Sequence, residues 1–223
     1  MRNNRGMDKR IRLTTCIAFA ALCILVLVAA AWGAEKFPKT AAEALALYEG
    51  DTDDWARGPV QYLMLDNESR AWRRLKSTEE RRRFITWFWM RRDSELRDNR
   101  NPFMEDFYTR VAEANERFGG MPRGWLSDRG HAWVLLGKPH SIRQRPGPSG
   151  GELTTWIYHV PGISMALTRV PNELHVQFVQ TNRSWETVDD YGNVGIFSSV
   201  LFDIFEQVNA AAIERPDLEP PGQ

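Results

Sequence analysis

The spacing of apolar positions changes twice along this chain. Leu13 to Ala34 is an uncharged run of 22 residues between Arg12 and Glu35. From about residue 40 to 118 apolar residues recur every three or four positions, the period of amphipathic helices, and from about 131 to 178 they run together or alternate as strands do. The expected fold class is therefore α+β: N-terminal helices, then an antiparallel β-meander, then a C-terminal helix.

The helical part carries its own start and stop signals. TAAEALALY, from Thr40 to Tyr48, is helix-prone with Thr40 as its cap, and the polar run from Gly50 to Asp54 breaks it. After the apolar patch Val60 to Leu65, Asn67-Glu68 opens a helix through Trp72 and Leu75. Ser77 with Glu80 forms a capping-box pattern ahead of a helix to about Arg91, whose stripe of Phe84, Ile85 and Phe88 runs on into Arg92. Asn101-Pro102 starts a further helix, Phe103 to Phe118, stopped by Gly119-Gly120; here Arg110 interrupts the stripe of Phe103, Phe107, Ala114 and Phe118.

His131 to Leu136 (HAWVLL), apolar on both faces, reads as a strand covered on both sides. Trp156, Tyr158 and Val160 alternate with Thr155, Ile157 and His159, turn at Pro161-Gly162 and return through Ile163, Met165 and Leu167, a hairpin. Leu174, Val176 and Phe178 form a third strand, in a sheet with one polar face. Arg145 to Glu152 reads as a surface loop. Ser198 to Ile213 presents an apolar helical face, and residues 214–223 have no apolar period and read as a disordered tail.

Charge sharpens the reading of the N-terminus. The 223 residues hold 29 basic and 29 acidic side chains, but Arg2, Arg5, Lys9, Arg10 and Arg12 face only Asp8 before residue 35, so the first 34 residues carry +4 and the remainder −4. A basic flank followed by an uncharged run reads as a secretory signal, with small residues at Ala29-Ala30-Ala31 or Ala31-Trp32-Gly33 for cleavage; uncleaved, residues 13–34 are long enough to anchor in the inner membrane. Either way the body after Glu35 is expected outside that membrane, in the periplasm. Both cysteines, Cys16 and Cys23, lie in this segment, so the body can form no disulfide and no cysteine-based site. The absence of a basic surplus argues against nucleic acid as a partner.

Several ordered motifs resemble the GWxTD-domain family of bacterial exported proteins. The name-giving motif stands as Gly124-Trp125-Leu126-Ser127-Asp128-Arg129-Gly130, with Ser127 in place of Thr. Phe88-Trp89-Met90-Arg91-Arg92-Asp93 resembles the family's FWxxRD, Asn101 to Val111 its N-E…R-V helix with Pro102 for Glu, Leu136-Gly137-Lys138-Pro139 its YGxP, and Trp156-Ile157-Tyr158 its W-x-Y strand. Ser94-Glu95-Leu96 stands where a Pro-Thr-Pro follows FWxxRD. The resemblance spans Tyr62 to Phe178 and implies an envelope location without a defined biochemistry. Together with the residue patterns, this divides the chain into a signal or anchor (1–34), a helix and polar linker (35–61), the domain with its C-terminal helix (62–213) and the tail (214–223).

Candidate chemistry is sparse. In GWLSDRG, Gly124 and Gly130 permit positive φ, Ser127 or Asp128 can bond nearby backbone N–H groups, and Trp125 locks a turn into the following strand. Asp128 and His131, three residues apart, are the candidate acid/base pair, although Trp133 and Leu135 beside His131 suggest a core histidine. Arg92, Asp93, Arg110 and Asp128 read as one charge network, because arginines on apolar stripes require carboxylates; in the functional version one guanidinium keeps a free edge for a ligand carboxylate or phosphate. The four histidines have no metal-binding spacing, no cofactor motif is present, and neither GxSxG nor a phosphate loop occurs. The sequence thus points first to a non-catalytic module binding an envelope protein or peptide, and second to an envelope hydrolase of peptide or glycan using Asp128 and His131.

Overall fold

The computed structural model describes residues 37–93, 100–119, 123–147, 151–159, 173–181 and 184–188. The chain divides after Phe37, and the fold below belongs to the unit that begins at Pro38. The apolar segment 13–34, the expected strand 163–167, the C-terminal helix 198–213 and the tail lie outside the described residues.

The helices begin where side chains can satisfy their first N–H groups. Helix α1, Ala41–Gly50, starts in a capping box: Thr40 Oγ1 accepts from Glu43 N (3.2 Å), and the Glu43 carboxylate accepts from Thr40 N (3.3 Å). Two 3-10 turns, Trp55–Arg57 and Pro59–Tyr62, lead to α2, Asp66–Trp72, which ends short of Leu75. Ser77 and Glu80 box the start of α3, Thr78–Met90. Asn101 caps α4, Pro102–Arg117, accepting from Met104 N (2.9 Å) while its amide donates to Trp89 O (2.8 Å), so one side chain starts α4 and fixes it to the end of α3.

HAWVLL is helical. After a 3-10 turn at Gly124–Leu126, helix α5 runs Asp128–Leu136. Ser127 decides this locally: its hydroxyl accepts from Gly130 N (3.0 Å) and donates to Gly124 O (2.7 Å), giving the segment a capped start that outweighs its strand-like apolar run. A short helix buried on most of its surface has no polar stripe to betray its period.

The sheet is antiparallel with order β1-β2-β3-β4: Ser141–Pro146, Glu152–His159, Glu173–Gln180 and Trp185–Val188. Part of the expected 145–152 loop is strand, because β1 and β2 form a hairpin with Arg145 opposite Leu153. Strand β2 has β1 on one side and β3 on the other, with Trp156 opposite Val176; the return arm 163–167 of the expected hairpin lies outside the described residues. The inner face carries Trp156, Tyr158, Leu174, Val176 and Phe178, all buried. The outer face exposes Glu173 and His175 but also buries Leu153 and Ile157, so it is not uniformly polar.

One aromatic-rich core joins these layers. Helix α1 packs on α4, α4 on α5, and α5 on β4, while Trp133 of α5 meets Trp156 of β2 edge to face at 5.9 Å. Gly124 and Gly130 are needed for close approach rather than for positive φ, which among the described residues only Gly137 adopts (φ 73°). A Cβ on Gly124 would lie 2.3 Å from Ala114 O, and one on Gly130 would lie 1.9 Å from Gly124 O. Gly130→Ala should therefore cost ~3 kcal/mol or more through forced backbone displacement. Gly50→Ala, where a Cβ meets nothing within 4 Å, should change stability by no more than ~1 kcal/mol. Denaturant midpoints of the two variants check the contrast.

Candidate functional site

The four charged residues expected to form one network separate into three places. Arg92 pairs with Glu68, a residue that the stripe pattern does not single out. Its Nη2 lies 2.8 Å from Glu68 Oε2 and its Nη1 3.0 Å from Oε1, with the two side chains 1% and 0% exposed. Arg92 also donates to Phe88 O (3.0 Å) and Leu63 O (2.9 Å), and its guanidinium lies 3.6 Å from the centroid of the Phe88 ring. Glu68 further accepts from Arg91 Nη1 (3.1 Å) and Leu65 N (2.9 Å). Both terminal nitrogens of Arg92 are therefore engaged by the protein, and no free edge remains there for a ligand. Burial pulls the Arg92 pKa down, and the Glu68 carboxylate pulls it back toward the charged form.

Asp93 is buried at the end of α3. Arg110 is a half-exposed surface group that pairs with Asp106 one turn earlier and donates to Leu135 O (3.2 Å). Its guanidinium lies across Gly137, where a Cβ would sit 3.5 Å from Cζ.

Asp128 holds the sheet instead of an arginine. Thr187 on β4 donates both its backbone N–H (2.7 Å) and its hydroxyl (2.8 Å) to Asp128 Oδ2, tying the first turn of α5 to an edge strand 59 residues away. The motif's bonding is thus long-range as well as turn-forming. Trp125 is 1% exposed; its indole donates to Tyr48 Oη (2.9 Å), and its backbone N–H donates to Asn115 Oδ1 (3.3 Å).

His131 stacks on Tyr62, ring centroids 3.6 Å apart and 13° from parallel. The Tyr62 hydroxyl donates to Trp125 O (3.2 Å), and burial raises its pKa, with the Asp128 charge adding to the effect. Burial lowers the His131 pKa from 6.5 to about 4, more than Asp128 raises it. At neutral pH the imidazole is uncharged, which suits a packed ring beside a carboxylate already bonded to Thr187.

A half-buried carboxylate, Glu49, is not singled out by the sequence pattern. Glu49 Oε1 accepts from the indoles of Trp55 and Trp89, both at 2.9 Å, and from the Tyr108 hydroxyl. Its pKa is raised by burial, against the lowering effect of these three bonds. The only advance signal was the number of tryptophans in the body, since each buried indole N–H requires an acceptor.

A concave feature formed by described residues lies elsewhere. An open groove of about 370 Å³ runs between the 3-10 turns and the α2–α3 corner, with Met64, Trp72 and Leu75 among its apolar lining and Arg57, Arg73 and Arg81 among its charged lining. Trp72 packs against Trp55 and, edge to face, against Phe84. Arg81 pairs with Asp53 and Arg57 with Asp54, whereas the Arg73 guanidinium makes no bond among the described residues. The groove includes neither Asp128 nor His131. Among the described residues no group of three His, Cys, Asp or Glu side chains is placed to hold a metal ion, and no helix is long and apolar enough to cross a membrane.

The His131 environment predicts a pH dependence with a definite sign. A histidine whose folded pKa lies below its unfolded value stabilises the fold above pH 6.5 and loses that contribution as pH falls toward about 4. The loss should reach about 3 kcal/mol. His131→Phe, which keeps a ring against Tyr62, should remove this acid limb; urea unfolding of both proteins between pH 7 and 4 reads the difference.

No curated protein and no solved structure matches this sequence. The family model of the GWxTD domain matches residues 51–191, a span that contains the Glu68–Arg92 pair, the Trp125 turn, the Asp128 latch and the whole described sheet. On that match, this chain belongs to the GWxTD-domain family.

Proposed function

We propose that this protein is an exported envelope domain that binds a protein or peptide segment and performs no catalysis. The export half is supported by the basic flank and uncharged run of residues 1–34, the pattern of a signal that would send the body to the periplasm, released or held by residues 13–34. The binding half rests on one observation: the groove presents a partly exposed indole, Trp72, and the guanidinium of Arg73, which has no partner among the described residues, side by side. Apolar lining with a few placed polar groups suits recognition of a side chain from a partner. Asp128, by contrast, is held by Thr187, and His131 is a half-buried neutral ring stacked on Tyr62. An acid/base pair needs access to substrate and a proton to exchange near the working pH.

The test compares the two regions in cells. Arg73→Glu should abolish complementation of a deletion strain while leaving the melting temperature nearly unchanged, because that side chain is exposed; Trp72→Ala should also abolish it, with a lowered melting temperature because the indole packs on Trp55 and Phe84. Asp128→Asn and His131→Gln, once shown to be folded, should complement. The opposite pattern, with a tolerated groove variant and two folded but inactive Asp128 and His131 variants, would move those two residues into catalytic roles.

A further inference from the structure

The motif GWLSDRG contains one polar group that the fold does not use. Gly124 and Gly130 provide close approach, Trp125 bonds Tyr48, Ser127 caps α5 and Asp128 holds Thr187. Arg129 has no such bond. Its guanidinium is caged by three rings, with Cζ 4.7 Å from the centroid of Trp185, 5.1 Å from Phe118 and 5.6 Å from Trp156. Among the described residues it forms no hydrogen bond and no ion pair.

Two details show this to be more than a cation lying on aromatic faces. Arg129 Nε is buried without an acceptor, and so is Nε1 of the neighbouring Trp156, a residue 1% exposed. Buried donors left unpaired cost free energy, and a cation enclosed on its flanks is poorly solvated. Only Nε of this guanidinium is among the buried unpaired nitrogens, so the terminal edge of the half-buried side chain stays in contact with solvent. Among the described residues the acidic charge that reaches Arg129 is that of Glu152, which does not come within ion-pair distance and whose Oε1 accepts from Thr154 (3.2 Å).

We propose that Arg129 is a carboxylate receptor: the aromatic cage holds the guanidinium rigid, and its terminal edge binds a carboxylate through two parallel N–H···O bonds. Rigid walls lower the ordering cost of binding, and low local polarity strengthens the pair. A planar fork matches a planar carboxylate, which a lysine ammonium in the same cage cannot reproduce. This site is separate from the Trp72–Arg73 groove and shares no residue with it. Carboxylate is the shared chemistry of a polypeptide's C-terminal end and of an acidic residue within it, and the probes below distinguish the two.

The side-chain resonances of Arg129 Nε–H and Trp156 Nε1–H in the full-length protein report the site directly. Titration with N-acetylglycine, a free α-carboxylate, and with N-acetylaspartate amide, whose carboxylate is on the side chain, should shift both resonances saturably with at least one probe, and the tighter probe names the source. N-acetylglycine amide should do nothing. Arg129→Lys should weaken binding by ~10-fold or more, whereas Arg82→Gln, a surface arginine elsewhere, should leave it unchanged. Glu152→Gln should tighten binding several-fold by removing a competing negative charge. If Arg129→Lys does not fold, Trp185→Leu, which removes the half-buried wall of the cage, must weaken binding instead. Shifts that rise linearly without saturation, or that persist in Arg129→Lys, overturn the proposal. So does a Glu152→Gln protein that is destabilised and binds no more tightly, because Glu152 is then the internal counter-ion.

Discussion

The helical half of this domain depends on a carboxylate and a guanidinium that have both left water. Glu68 stands near the start of α2 and Arg92 just beyond the end of α3, and the side chains are 0% and 1% exposed. Removing two charges from solvent costs several kcal/mol each, and mutual attraction offsets that only if geometry and hydrogen bonding are complete. Here they nearly are. The fork is bidentate, two backbone carbonyls take the remaining terminal N–H groups, Phe88 covers the face, and Glu68 fills its own capacity with Arg91 and Leu65 N. Because Leu63 O and Leu65 N belong to the segment entering α2, the pair also fixes how that segment meets α3. An apolar pair of equal volume could fill the space without specifying this corner.

A second line of polar contacts crosses the aromatic core. Trp125 donates to Tyr48, Tyr48 stacks on Tyr108 at 6.4 Å, Tyr108 donates to Glu49, and Glu49 also receives Trp55 and Trp89. The motif turn is thereby connected through α1 to α3 and α4. Large aromatic side chains supply most of the buried surface, and their N–H and O–H groups must find acceptors. One shared carboxylate does this for three of them. Its raised pKa marks the desolvation that accompanies the role.

Much of this architecture was legible in the residues. Thr40, Ser77 and Asn101 each start a helix where local hydrogen-bonding chemistry places it, because a cap requires only residues three apart. What failed was read from periodicity alone. HAWVLL is buried on too many sides to show a helical stripe, so its apolar run imitates a strand. Strand β1, SIRQRP, is exposed throughout and has no apolar alternation to detect. The charge network failed for a different reason: Arg92 announced its need for a carboxylate, but the partner lay 24 residues upstream, and nothing in a linear pattern ranks Glu68 above Asp93 or Asp128. Gly124 and Gly130 were expected to permit positive φ, whereas their role is backbone contact with α4 and with the turn itself, which only the assembled fold contains.

The central claim is that the buried Glu68–Arg92 pair, and not a set joining Arg92 to Asp93, Arg110 and Asp128, holds the helical corner. A double-mutant cycle of Glu68→Gln, Arg92→Met and the combined variant, followed by denaturant unfolding, tests it most directly. Each single change should cost ~3–5 kcal/mol by stranding its partner in the interior. The double variant should cost little more than either alone, giving a coupling of ~2 kcal/mol or more. Two single effects that simply add, to within ~0.5 kcal/mol, would contradict the account.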